Sequence, residues 1–276
     1  MGRTLVGLHT KDYIWAILRP SFERRLIMTT VLLLSDIHGN LPALEKTLED
    51  ASQRADITSV WVMGDSVGYG AQPNEVVERL RSLPDLAMVK GNHEAAAIGE
   101  ISIANFNPSA AASAAWTADA LTAETRDFLS SLPLTTVQAS ITLCHGTPRN
   151  PIWEYMFTSQ TADLNLNHFD TVGCVHGHTH IPCVFGGDAS ANWQVIQARD
   201  ADVCQLDYER WFVNPGSVGQ PRDGDPRASY ALLQIADNVA PRIQFHRVEY
   251  NVAKAQDLIL DAHLPSTLAF RLSVGR

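Results

Sequence analysis

An α/β fold is predicted by three observations. Short apolar runs at residues 31–34, 59–63 and 86–90 each stop at a polar corner: Ser35-Asp36, Gly64-Asp65 and Gly91-Asn92. Helical repeats lie between these runs. The corners fall about 30 residues apart, the length of one strand-helix-strand unit. Parallel strands carrying Asp36, Asp65 and Asn92 at their carboxyl ends follow, and open α/β sheets place their sites there.

Taken in order, residues 1–27 fit no element of this pattern. The apolar stretch 13–18 is too short for a membrane span or a signal core, and no small-residue cleavage site follows it. We expect a dispensable amino-terminal extension, then a single domain over residues 28–276. After the first strand, Leu41, Leu44 and Leu48 recur at helical spacing. Val76, Val77 and Leu80 do the same behind Pro73, a helix-start residue. The Ala-rich stretch 94–132 reads as a helical insertion near the site mouth, packed through Trp116, Leu121, Phe128 and Leu129, as structural support or as a substrate-shaping cap.

Residues 140–144 and 171–175 read as further strands that run into His145-Gly146 and Gly177-His178-Thr179-His180. In an extended segment residues i and i+2 share a side, so His178 and His180 are expected to reach one cluster. Beyond them, residues 228–235 and 242–245 read as strands of a second sheet, and 252–262 as a helix.

Composition narrows the function classes. With 45% hydrophobic and 18% charged residues, a chain of 276 can bury one substantial core. A net charge of −9 without Lys/Arg runs excludes dependence on an extended nucleic-acid or membrane footprint and favours small or locally bound substrates. Cys144, Cys174, Cys183 and Cys204 form no C-x-x-C pair, so buried reduced thiols and a cytoplasmic location are expected. Strand alternation aims Cys144 away from the neighbouring His145.

The polar corners carry one chemistry. Asp36, His38, Asp65, Asn92, His145, His178 and His180 combine carboxylates, an amide oxygen and imidazoles. A pair of divalent ions needs such a set when positions are left open for water and substrate. Two ions, two carboxylates and a bridging hydroxide leave a charge of about +1, which suits a phosphate anion even in an acidic chain. Any one of these histidines alone would be read as a packing residue. Their ordered recurrence beside glycines at strand ends points instead to a two-metal phosphoester hydrolase. His176, just before Gly177, is read as structural.

The series D-x-H at Asp36, G-D at Gly64, G-N-H-E at Gly91, H-G at His145 and G-H-T-H at Gly177 resembles the calcineurin-like metallophosphoesterase superfamily, over roughly residues 29–250. Within it, the segments 36–41 and 214–222 are similar to bacterial small phosphodiesterases. The resemblance implies a four-layer α/β/β/α sandwich with two mixed β-sheets. It implies that Asp36, His38 and His180 hold one metal and Asn92, His145 and His178 the other, with Asp65 bridging. His93 would stay off the metals and stabilise the transition state or protonate the leaving oxygen. A metal-bridging hydroxide would attack phosphorus in line, without a covalent phosphoenzyme. Two divalent ions per chain are implied, manganese first, with iron, zinc or cobalt also suited.

Substrate class rests on a departure from the family pattern. Protein phosphatases and dinucleoside tetraphosphatases of the superfamily carry an Arg shortly after the bridging Asp. Here the stretch reads Gly64-Asp65-Ser66-Val67-Gly68-Tyr69-Gly70, without it. Weight therefore moves to a phosphodiesterase acting on a small-molecule or nucleotide phosphoester, with Arg149 and Arg222 as candidate substrate grips. The alternatives are those two phosphatase classes and, more remotely, a non-catalytic interaction scaffold.

Overall fold

The computed structural model describes residues 28–188 and 192–276. The extension at 1–27 lies outside the described residues. Strand β1 (Thr29–Leu34) leads through Asn40, whose side chain accepts from the Ala43 N–H, into α1 (Leu41–Arg54). The chain continues through β2 (Ser59–Val62), α2 (Pro73–Arg81) and β3 (Leu86–Met88). β1, β2 and β3 pair in parallel, as their corner spacing predicts. The stretch expected as a helical insertion holds α3 (Asn92–Ala97), α4 (Pro108–Ala120) and α5 (Ala123–Ser131).

Next come β4 (Thr135–Gln138), β5 (Ile141–Cys144), α6 (Ser159–Asn165), β6 (Gly173–Val175), β7 (Cys183–Gly187), β8 (Trp193–Gln197), β9 (Val203–Gln205) and β10 (Arg210–Asn214). The chain closes with β11 (Ala228–Ala236), β12 (Val239–Val248), α7 (Val252–Asp261) and α8 (Ser266–Phe270). Two mixed six-stranded sheets result, ordered β3-β2-β1-β11-β12-β9 and β4-β5-β6-β10-β7-β8.

The late strands correct one expectation. Residues 228–235 and 242–245 do not build the second sheet; β11 pairs antiparallel with β1, and β12 with β11, so both extend the first. The physical reason lies in β1. Its residues from Val31 to Leu34 are buried on both faces, so its edge opposite β2 would leave backbone N–H and C=O groups without partners unless another strand covered it. The second sheet is nucleated earlier, by the strands that precede His145 and Gly177.

Side-chain alternation assigns the layers. Val31, Leu33, Trp61 and Met63 face Ile141, Leu143, Val175 and Trp211 between the two sheets. Leu32, Leu34, Val60 and Val62 point the other way, onto Leu44, Leu48, Val76, Leu80 and Leu129 of the helices. Cys144, Cys174 and Phe212 meet Ala162 of α6 outside the second sheet. Each large side chain so buried contributes about 1.5–3 kcal/mol. Cys144 thus points away from His145, as alternation predicts; its sulfur lies 3.6 Å from that of Cys174, and both are free thiols. Among the described residues no helix is long and apolar enough to cross a membrane.

Candidate metal centre

Both sheets deliver polar residues to one place. Asp36 follows β1, Asp65 follows β2, and Asn92 opens α3 after β3; His145 follows β5, and His178 and His180 lie between β6 and β7. Asp36, His38, Asp65, His178 and His180 all adopt left-handed backbone, with φ of 52°, 52°, 51°, 66° and 60°. Such conformations cost non-glycine residues about 1–3 kcal/mol each and gather at functional sites. The expectation that His178 and His180 share a cluster because their segment is extended needs correcting. Their backbone turns instead, and the two rings go to different ends of the cluster.

Three groups of side chains each converge within 4.8 Å: Asp36 with His38 and His180, His38 with Asp65 and His93, and Asp65 with His145 and His178. Asn92 joins the last, its Oδ1 3.0 Å from His145 Nε2. Asp65 is common to two groups, with Oδ2 3.2 Å from His145 Nε2 and 3.8 Å from His38 Nε2.

Tautomers decide what this arrangement lacks. His38 Nδ1 lies 3.1 Å from the Val67 carbonyl, His145 Nδ1 2.8 Å from that of Met63, and His180 Nδ1 2.5 Å from that of Gln220. Each carbonyl accepts an Nδ1–H, which turns Nε2 of each ring inward, as a lone pair in His38 and His180. There His38 Nε2 and His180 Nε2 stand 3.2 Å apart, lone pair to lone pair, while His145 Nε2 carries a proton toward the Asn92 and Asp65 oxygens until a metal takes its place. Lone pairs facing lone pairs at these distances call for a cation. Asp36 Oδ1, His93 Nδ1 and His178 Nε2 are also buried without a hydrogen-bond partner. The donor set therefore fits divalent metal.

Electrostatics agree. Burial, then the neighbouring His180 and His93, push His38 well below the usual histidine range, and burial with His145 does the same to His178. Burial acts against ionised Asp36, but His180 and His145 outweigh it and hold the carboxyl low. His145 is the exception. Burial would lower it, yet Asp65 and Asp36 raise it to about 10, so the metal-free ring carries a proton near pH 7. A metal must displace that proton. Metal affinity is therefore expected to rise with pH through the neutral range, with about one proton released per chain on loading at pH 7.5. Calorimetry in two buffers of different ionisation enthalpy measures this; identical apparent enthalpies would contradict it.

Supporting residues were less legible in the sequence. The buried Glu94 carboxylate accepts from the backbone N–H groups of Asp65 (2.8 Å), Ser66 (2.6 Å), Val67 (3.3 Å) and Gly91 (2.8 Å), and from the Ser66 hydroxyl (2.8 Å). It ties the Asp65 and Asn92 corners together. The signal was its place in G-N-H-E, three residues after Gly91 at the start of a helix. Glu94→Ala leaves those donors buried and unpaired, and should lower unfolding free energy by at least about 2–3 kcal/mol in denaturant melts. A change under about 0.5 kcal/mol would contradict this role. Asn214 braces the histidine turn: its amide donates to the Gly177 carbonyl (2.7 Å) and the Thr179 hydroxyl (3.0 Å).

His93 converges with His38 and Asp65 from the start of α3. It packs against His38, Tyr69 and Phe106, with centroids 4.9, 4.4 and 5.2 Å away. Its approach to the backbone requires Gly68, where a Cβ would lie 2.2 Å from His93 Nδ1 and φ is +83°. Burial lowers its pKa to about 4 although Asp65 opposes, so the ring is neutral near pH 7. His176 is also buried; its Nδ1 lies 3.2 Å from the Gly177 carbonyl, and it belongs to none of the three groups.

The two predicted arginines separate. Arg149 pairs with Glu154, which also accepts from the Thr147 hydroxyl and the Asn165 amide, so it is held on the loop after His145. Arg222 lies beside the cluster, 5.9 Å from the Tyr69 ring centre. Tyr155, stacked 3.8 Å over the His178 ring, and Arg271, 5.7 Å from the Tyr69 centre, complete this rim. Neither was singled out from sequence, where Tyr155 follows the His145 motif by ten residues without a pattern of its own and Arg271 lies far along the chain from the motifs.

Fold and site together define a metal-dependent hydrolase scaffold, and comparison with known proteins agrees. The calcineurin-like phosphoesterase superfamily domain matches residues 29–238, and the chain belongs to that family of phosphoester hydrolases. An uncharacterized protein of Methanocaldococcus jannaschii is 36% identical, covering 91% of this chain and all of its own length. The phosphodiesterase YfcE of Escherichia coli is 27% identical over 75% of this chain and 88% of its own. The crystal structure of a metallophosphoesterase from Sphaerobacter thermophilus superposes with a TM-score of 0.79 at 42% identity, covering 90% of this chain and 99% of that one.

Proposed function

We propose that the cluster holds two divalent cations and hydrolyses phosphodiesters. The observation that carries this reading is the convergence of inward-facing imidazole lone pairs on two groups joined through Asp65. Asp36, His38 and His180 would hold one ion, Asn92, His145 and His178 the other, and Asp65 both. Manganese is the first candidate, with iron, zinc or cobalt also suited to these donors. When bound, such ions supply Lewis-acid charge at the phosphoryl oxygens and lower the pKa of water at the site.

The remaining work falls to the chain's own groups. Carbonyls of Val67, Met63 and Gln220 fix the orientation of three imidazoles, so their Nε2 atoms already face the place of the ions, and only His145 has a proton to give up. His93, neutral and at the start of α3, would donate an N–H to oxygen as charge develops there, without joining the metals. Tyr69 occupies the loop that in phosphatases of this family carries an Arg, and its ring fills the space beside His38 and His93. That substitution supports a diesterase over a protein phosphatase or dinucleoside tetraphosphatase, as does the similarity to a phosphodiesterase.

A diester carries one negative charge, which the two cations can hold without a further grip at that loop. With Mn²⁺ present, kcat/KM for bis(p-nitrophenyl) phosphate should exceed that for p-nitrophenyl phosphate, and a chelator should remove both activities. If the monoester or a phosphopeptide is cleaved tenfold better, about 1.4 kcal/mol in transition-state binding, the phosphatase reading replaces this one. Metal-free protein that Mn²⁺ leaves inactive would point to the interaction scaffold.

A further inference from the structure

Two arginines face one tyrosine ring beside the metal-ligating cluster, and no acidic side chain pairs with either. Arg222 comes from the loop after β10, and Arg271 from the turn that follows α8. Their guanidinium carbons lie 5.9 and 5.7 Å from the centre of the same Tyr69 ring, which itself touches His38 and His93. Among the described residues neither forms an ion pair with an Asp or Glu side chain, although the chain holds 30 acidic residues against 21 Lys and Arg.

Their partners leave capacity over. Arg222 Nη2 donates to Gln220 Oε1 at 3.1 Å, its other polar contact is with Tyr155, and its Nε is buried without a partner. Arg271 Nε donates to the carboxylate of Arg276, the last residue, and its Nη groups find no protein acceptor among the described residues. Like charges are thus held together at a half-buried place. Burial and the nearby Arg222 both act against the charge on Arg271.

The fold builds this juxtaposition. The Gly224 N–H, two residues after Arg222, donates to the Gly275 carbonyl at 2.9 Å, and Gly275 sits against the Asp225 backbone so closely that a Cβ would lie 2.7 Å from it. Leu268, Ala269 and Leu272 pack with Tyr69 and Ala110 in one apolar cluster. The end of the chain is therefore clamped onto the Arg222 loop and the Tyr69 corner. Arg271 also lies beyond the matched family region, so this contribution belongs to the chain's own carboxyl-terminal segment.

We propose that Arg222 and Arg271 form an anion subsite against Tyr69 that takes a second phosphate, so that the preferred substrates are phosphoesters carrying one beyond the phosphoryl group cleaved. Resting on the hydrolase reading above, this places the scissile group at the Asp/His cluster and the second phosphate beside it. Planar guanidinium groups suit that task, because each can offer two N–H donors to a phosphate. The Tyr69 ring stands between the two arginines and His38 and His93, which sets the subsite beside the cleavage position.

Equilibrium titration of the full-length Mn²⁺-loaded protein, with the probes checked to be intact at the end, tests this apart from turnover, so a failed hydrolysis assay and a failed subsite give different results. The probes are thymidine 5′-monophosphate, thymidine 5′-diphosphate and thymidine 3′,5′-bisphosphate, covering adjacent and separated second phosphates. At least one doubly phosphorylated probe should bind tenfold or more tightly than the monophosphate. Arg271→Gln should cut that ratio at least fivefold, while Arg271→Lys, which keeps the charge, retains an intermediate ratio at an unchanged Tm. Wild-type ratios near one for both probes, or a ratio that survives in the Gln variant, would overturn the proposal.

Discussion

Asp65→Asn is expected to empty both metal positions and lower kcat for a diester by at least roughly 10³-fold, about 4 kcal/mol of transition-state stabilisation. Asp65 is the carboxylate shared between the two halves of the cluster, with Oδ2 directed at both His145 and His38. Its Oδ1 accepts the backbone N–H of His93 at 2.9 Å, and an Asn oxygen can keep that bond, so the fold is preserved while the charge at Oδ2 is lost. A change at one outer residue, such as His180→Ala, should instead release mainly one equivalent of metal. Metal analysis and turnover read both variants. Near-normal stoichiometry and rate in the Asn variant would remove Asp65 from the shared position.

His93→Ala should lower kcat by roughly 10²-fold or more while metal content stays near wild type. Its ring converges with His38 and Asp65, so ligation is a live geometric alternative. Loss of one metal equivalent in the Ala variant would establish that alternative, and unchanged kcat would take His93 out of the reaction. The pH profile adds a sign. Burial depresses its pKa to about 4, so the ring stays neutral as pH rises from about 5.5 to 8. An N–H donor of this kind gives no loss of activity over that interval, whereas a cationic acid would lose activity steadily above its pKa.

Much of this site was legible because its residues end strands. A short apolar run followed by Gly-Asp or Gly-Asn states both a parallel strand and what stands at its carboxyl end. The expectations for β1, β2 and β3 and for the corners at Asp36, Asp65 and Asn92 therefore agree with the structure. The second sheet was less readable. The runs at 228–235 and 242–245 look like strands from composition alone, but their partner is decided by the buried open edge of β1, a long-range fact with no local signal. His178 and His180 meet the cluster through left-handed turns that periodicity does not encode. Glu94 was visible as a motif letter, yet its task of accepting several backbone N–H groups depends on the corners after β2 and β3 meeting. Arg149 and Arg222 were indistinguishable as sequence; Glu154 claims one, and the carboxyl-terminal clamp keeps the other beside Tyr69.

The account's central claim is that this Asp/His cluster is a two-ion hydrolytic centre. A titration of chelator-stripped protein with Mn²⁺, followed by hydrolysis of bis(p-nitrophenyl) phosphate, tests it most directly. Turnover should be absent in the stripped chain, rise with added metal and level off at two equivalents per chain. Turnover that survives stripping, or that levels off at a single equivalent, would contradict the account.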